Sequence, residues 1–170
     1  MLLVDGSGSM SGDPYNTASM AAKEVMLALQ GNPDYKVTVW NYTNSGNELD
    51  VVAGWTDGKN FHWPNMRGGG TPSHQAMVKA HEFLKLNYKH SPKIIVHFTD
   101  LGWGDSPTEE FDALANDNTL DYITVTVAQV NGRNVDTWLA SVKDSSPGMN
   151  VSAYTTNELV QAVQEFILKR

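Results

Sequence analysis

Along the whole chain the apolar positions change period, recurring every two residues over short runs and every three or four over longer ones. That alternation restricts the fold more than any other feature. Short strands separated by amphipathic helices need a crossover connection at each step, so the pattern predicts an α/β chain with a mostly parallel sheet and helices on both faces. Six strands are expected, at 2–5, 35–42, 49–55, 93–99, 121–128 and 150–154. Five helices are expected between and after them, at 14–30, 71–88, 107–117, 134–142 and 157–169. The run Lys93-Ile94-Ile95-Val96-His97-Phe98-Thr99 is nearly all apolar, as a central parallel strand covered on both faces should be. Thr43-Asn44-Ser45-Gly46-Asn47 is a short turn-forming link, so the second and third strands should pair antiparallel, giving one antiparallel edge strand. Helix starts are marked by Asp13-Pro14, Thr71-Pro72 and the capping-box sequence Ser106-Pro107-Thr108-Glu109.

Composition removes several function classes. Of 170 residues 41% are hydrophobic, enough for one sizeable core, and residues 1–170 read as a single domain. Twelve Lys and Arg against 19 Asp and Glu leave a net charge of −7, which argues against nucleic acid as a partner, because clustered cations supply most of that binding energy. No apolar run approaches the roughly 20 residues of a membrane span, and the chain shows no export signal. With no Cys, there can be no disulfide, thiol nucleophile or thiolate metal site. Any metal here must be held by oxygen or imidazole.

Three oxygen-bearing clusters fall at element ends: Asp5-Gly6-Ser7-Gly8-Ser9, Gly69-Gly70-Thr71-Pro72, and Thr99-Asp100. In an open α/β sheet, ligands bind beyond the carboxyl ends of the strands where the strand order reverses. If the first strand and strand 93–99 are neighbours there, Asp5 and Asp100 face each other. Two carboxylates and three hydroxyls in so small a volume call for a cation or a full set of hydrogen bonds, and hard oxygen donors favour Mg²⁺, Mn²⁺ or Ca²⁺. Gly6 and Gly8 are read as giving the sharp turn that lets Ser7 and Ser9 both face inward.

These residues resemble the von Willebrand factor type A domain. Asp5-Gly6-Ser7-Gly8-Ser9 is similar to the family's DxSxS signature, the first part of its metal-ion-dependent adhesion site, while Thr71 and Asp100 match its later threonine and aspartate. The resemblance implies a doubly wound, Rossmann-like sheet. It also implies a complete adhesion site in which Ser7, Ser9 and Thr71 are direct ligands of Mg²⁺, or of Mn²⁺ or Ca²⁺, and Asp5 and Asp100 act mainly through water. The last coordination position is then left for an Asp or Glu of a protein partner. The Gly68-Gly69-Gly70-Thr71-Pro72 run and the lack of Cys look more like prokaryotic or viral members, which favours the cytoplasm and brings in a chelatase-type ATPase as partner beside an adhesion target. Only four residues precede Asp5, so the chain reads as a domain cut from a longer protein.

The remaining candidates are weighed individually. Phe61, Trp63, Gly70 and Trp103 lie on segments expected to border the crevice, where aromatics make good interface anchors. Asp13 is read as a helix cap and Asp105 as a loop residue. His97 is expected in the core, His74 and His81 on the surface, and Met20, Met26 and Met77 in the core. Asn41-Tyr42-Thr43 and Asn150-Val151-Ser152 match the glycosylation pattern. A divalent-cation-dependent binding module is the leading function. One alternative is an assembly component in which the metal only stabilises the fold. A Mg²⁺-dependent phosphatase with Asp5 as nucleophile would want a carboxylate two residues on, where this chain has Ser7, and neither a G-x-S-x-G elbow nor a phosphate-binding loop occurs. The chain is therefore expected not to be an enzyme.

Overall fold

The computed structural model describes residues 1–30, 32–45, 48–53, 68–100, 108–126 and 151–152, with single helical positions at 157, 161 and 165. In chain order these form β1 (Leu2–Asp5), a 3-10 turn (Gly8–Met10), α1 (Asp13–Gln30), β2 (Val39–Ser45), β3 (Glu48–Ala53), α2 (Ser73–Asn87), β4 (Lys93–Thr99), α3 (Glu109–Ala115), β5 (Leu120–Thr126) and β6 (Val151–Ser152). Parallel strands in the order β2-β1-β4-β5 make up the centre of the sheet, which is the α/β arrangement the periodicity calls for. On the outer side of β2, β3 runs antiparallel, and the two-residue β6 lies parallel to β5.

Side-chain alternation along β1 separates the two faces. Leu2 and Val4 pack with Val39, Val96 and Phe98 beneath α1, whereas Leu3 packs with Trp40, Tyr42 and Ile95 beneath α2 and α3. The buried stripe of α1 is Ala18, Ala21, Ala22, Val25, Met26 and Leu29, whose small members let the helix lie close to the sheet. Across the other face, Ala76, Met77, Ala80 and Leu84 do the same for α2, and Trp40 meets Phe83 with ring centroids 5.1 Å apart.

Several boundaries differ from expectation for identifiable reasons. Residues 35–38 are not strand. Tyr35 and Val37 pack against the α1-side core as an irregular approach, and Thr38 gives its carbonyl to the Leu2 N–H at 2.8 Å. The strand β2 instead runs on through Thr43, Asn44 and Ser45, and its register with β3 ends at Ser45 opposite Glu48, which shortens the link to residues 46 and 47. The helix α1 starts at Asp13 itself, after Gly12 at φ 82°, so Asp13 is a first-turn residue complementing the helix dipole rather than the cap. Helices α2 and α3 begin two residues later than expected, at Ser73 and Glu109. The helix expected at 134–142 lies outside the described residues. Of that expected at 157–169, positions 157, 161 and 165 are helical and exposed, four apart as one solvent face requires.

Among the single residues, Met20 is 58% exposed because it falls off the buried stripe of α1, and the buried neighbour is Ser19, whose hydroxyl donates to the Tyr15 carbonyl. The histidines His74 and His81 are buried, not surface residues. His74 stands edge-on to Phe111 with centroids 4.7 Å apart, and His81 Nε2 lies 2.8 Å from an Asp117 carboxylate oxygen. Together these contacts fasten α2 to α3 and to the turn that follows it. Partial burial pushes the Asp117 carboxyl up, but hydrogen bonds from His81 and from the hydroxyl and N–H of Thr119, with Lys93 nearby, outweigh it and hold the group well below the usual carboxylate range. A carboxyl depressed in the folded state stabilises above its unfolded pKa, and that contribution is lost as pH falls through the folded one. Asp117→Asn should therefore cost about 1–2 kcal/mol at neutral pH, and denaturant titrations should show the gap from wild type closing as pH drops below about 4.

Candidate metal centre

Because β1 lies between β2 and β4, the chain departs from it to opposite sides of the sheet, and the carboxyl ends of β1 and β4 form the crevice of the switch point. Asp5 ends β1; Thr99 ends β4 and is followed by the half-buried Asp100. The Thr99 hydroxyl donates to Asp5 Oδ2 at 2.8 Å, joining residues 94 apart in sequence. On the other oxygen, Oδ1, Asp5 accepts the Ser7 N–H at 2.8 Å, so the loop folds back over the carboxylate. Ser7 is buried, and its Oγ lies 3.1 Å from that of Ser9, which is exposed. A pair of hydroxyls thus leads from the buried carboxylate to the surface.

Gly6 serves space rather than backbone rotation. Neither Gly6 nor Gly8 has a positive φ; among the described residues that conformation occurs at Gly12, Gly68 and Gly69. A Cβ on Gly6 would stand 2.7 and 2.8 Å from the amide atoms of Asn41 and 3.1 Å from the Tyr42 carbonyl, which also accepts the Gly6 N–H. Asn41 is fixed in turn, donating from Nδ2 to the Val4 carbonyl at 3.2 Å. The Gly8 N–H donates to the Gly69 carbonyl at 3.0 Å and so joins the first loop to the glycine run before α2, and a Cβ on Gly8 would meet that carbonyl at an ordinary 3.5 Å.

The glycine run is held from β2. The Thr43 hydroxyl donates to the Gly68 carbonyl and lies 3.3 Å from that of Gly70, while the Asn44 side-chain oxygen accepts the Gly70 N–H. At Gly69, where φ is 100°, a Cβ would collide with the Asn44 carbonyl. Beyond this packed segment comes Thr71, 7% exposed. The cap position of α2 falls on Pro72, which has no capping side chain, and it is the Thr71 carbonyl that takes the Ser73 N–H, at 2.9 Å. The Thr71 hydroxyl is therefore not the helix cap.

Burial pushes the Asp5 carboxyl up to about 6, against the lowering effect of the Ser7 and Thr99 hydrogen bonds, and the negative charge of Asp100 adds to the rise. Ionised at neutral pH, Asp5 gains from any nearby positive charge. Among the described residues no three Asp, Glu or His side chains converge. The donors available at the crevice are hydroxyl and carboxylate oxygens, a hard set suited to Mg²⁺, Mn²⁺ or Ca²⁺.

The structure thus places Asp5, Ser7 and Ser9 in one loop, Asp100 at the adjoining strand end, and Thr71 just beyond a segment bonded to that loop. Gly70 is exposed at the rim; Phe61, Trp63 and Trp103 lie outside the described residues. Sequence reasoning missed Asn41, Thr43 and Asn44 as supports and gave Thr99 no role of its own. Only for Thr99 was there a signal, its place beside Asp100. Asn41, the acceptor of the first glycosylation match, is 1% exposed and inaccessible in this fold, and Asn150 lies outside the described residues.

A parallel sheet with helices on both faces and a switch point between β1 and β4 defines the class, an α/β domain of Rossmann-like fold. The family model of the von Willebrand factor type A domain matches residues 1–104, and the chain belongs to that family. No curated protein matches it. Among solved structures it is similar to the pilus adhesin SpaC from Lactobacillus rhamnosus GG, with a TM-score of 0.65 and 14% identity over 99% of this chain and 30% of that one. It is also similar to the manganese-loaded TRAP protein of Plasmodium vivax, with a TM-score of 0.64 and 18% identity over 98% of this chain and 71% of that one. The chain therefore spans less than a third of the length of SpaC. At these identities the likeness is one of fold.

The packing around Gly6 gives a direct test. Gly6→Ala should destabilise the domain by about 1–3 kcal/mol, because the new methyl must displace a buried amide or the end of β2. Chemical denaturation would measure it, and Asn41→Ala in the same background should recover part of the loss.

Proposed function

We propose that this domain is a divalent-cation-dependent protein interaction module. Asp5, Ser7, Ser9, Thr71 and Asp100 hold a Mg²⁺, with Mn²⁺ or Ca²⁺ able to replace it, in a complete metal-ion-dependent adhesion site. An Asp or Glu presented by a partner protein completes its coordination. The observation that carries the reading is the buried Asp5 carboxylate, beside Asp100 and bonded to Ser7 and Thr99, from which the Ser7 and Ser9 hydroxyls lead outward. The bound cation would supply a positive centre for an anionic ligand. The manganese reported in the TRAP structure agrees with that choice of ion. Against a phosphoryl-accepting role stands the burial of Asp5, whose two oxygens are both engaged by hydrogen-bond donors. Binding rather than catalysis is the proposed activity.

Calorimetric titration with Mn²⁺ or Mg²⁺ should show saturable binding to the wild-type domain and none to an Asp5→Ala/Ser9→Ala double variant; equal binding by the variant would overturn the proposal. Peptides selected from a displayed library in Mn²⁺ should share an Asp or Glu and should be released by chelator and by Thr71→Ala. Should cation binding raise the melting temperature while peptide capture ignores chelator, the ion serves only to stabilise the fold.

A further inference from the structure

Behind the crevice is a second polar system that the cation site does not by itself require. Tyr42 stands opposite Asp5 in the β1–β2 register. Its side chain is fully buried among apolar residues of the α2 side, including Leu3, Met77 and Ile95. There its hydroxyl lies 2.7 Å from Ser73 Oγ and 2.7 Å from His97 Nε2, and His97 Nδ1 lies 2.8 Å from the Tyr122 hydroxyl.

With one hydrogen on each hydroxyl and one on the imidazole, the contacts Ser73–Tyr42, Tyr42–His97 and His97–Tyr122 can all be made at once, so the line is satisfied from α2 to β5. Phe at 42 and an aliphatic residue at 97 would fill the same space without buried polar groups, so packing alone does not account for the line. What it adds is a tie from the sheet to the first residue of α2. Ser73 is held at both ends, by Tyr42 through its hydroxyl and by the Thr71 carbonyl through its N–H.

We propose that Tyr42 and Ser73 are positioning residues of the cation site: Tyr42, opposite Asp5 in the sheet, holds Ser73 and so fixes the start of α2, and with it Thr71, relative to the carboxyl end of β1. This rests on the reading of the crevice as a cation centre. Titrations with Mn²⁺ alone, on folded protein well below each variant's melting temperature, separate positioning from stability. Tyr42→Phe and Ser73→Ala should each weaken Mn²⁺ binding about tenfold or more, as loss of a group that orients metal ligands does. Asp117→Asn, which loosens the α2–α3 contact and touches no member of the line, should lower the melting temperature with unchanged Mn²⁺ affinity. If folded Tyr42→Phe binds Mn²⁺ like the wild type, the positioning role is overturned while the cation site stands. Should Tyr42→Phe not fold, Ser73→Ala decides by the same measure. A wild-type domain that binds no Mn²⁺ overturns the cation centre, and the positioning role with it.

Discussion

The structure turns on one buried carboxylate. Asp5 has no solvent-exposed surface, ends the central strand β1, and receives one hydrogen bond from its own loop and one from the last residue of β4. A carboxylate so placed loses its hydration, and only donors aimed at it, or a cation, can offset that cost. Each donor also performs a geometric task. The Ser7 N–H turns the loop after β1, and the Thr99 hydroxyl closes the gap at the switch point. Together they join segments 94 residues apart at the position where the parallel topology opens a crevice.

The glycines and polar residues around this carboxylate are consequences of closeness. Gly6 admits the Asn41 amide, and Gly69 and Gly70 admit Asn44. The same principle acts on the α1 face, where alanines bring the helix down on Leu2, Val4 and Val96. A closely packed support limits how far the loops can shift, which is what the proposed site, with hydroxyls on two segments and carboxylates at two strand ends, needs.

The strands that carry the site were legible in the sequence because both are buried on two faces: Leu2 to Asp5 and Lys93 to Thr99 read as strands from hydrophobicity alone, and Asp5, Ser7, Ser9, Thr71 and Asp100 fall at the element ends that periodicity marks. What hid the rest was polar chemistry with two possible uses. Thr43, Asn44 and Ser45 are turn formers by propensity, yet here they extend β2, and the first two hold the glycine run by side-chain hydrogen bonds. His81 looks like a surface residue until Asp117, 36 positions away, is placed beside it. Gly6 reads as a turn glycine, and only the neighbouring strand shows that its lack of a side chain is the point. In each case the partner lies on another element, beyond the reach of a local pattern.

Charge arithmetic links the site to the acidic composition. A partner carboxylate approaching a chain of net charge −7 meets unfavourable long-range electrostatics, but that field is screened beyond about 8 Å at physiological ionic strength. Inside that distance the proposed centre decides the outcome. Asp5 and Asp100 contribute two negative charges, which a divalent cation neutralises, and Ser7, Ser9 and Thr71 add oxygens without adding charge. A third carboxylate in place of a hydroxyl would bind the ion more tightly and leave the centre negative, so that an incoming Asp or Glu would be repelled. In the proposed centre, two acids with neutral hydroxyls would hold the ion while keeping its attraction for one more anion, a balance that suits a contact made and broken with a protein partner.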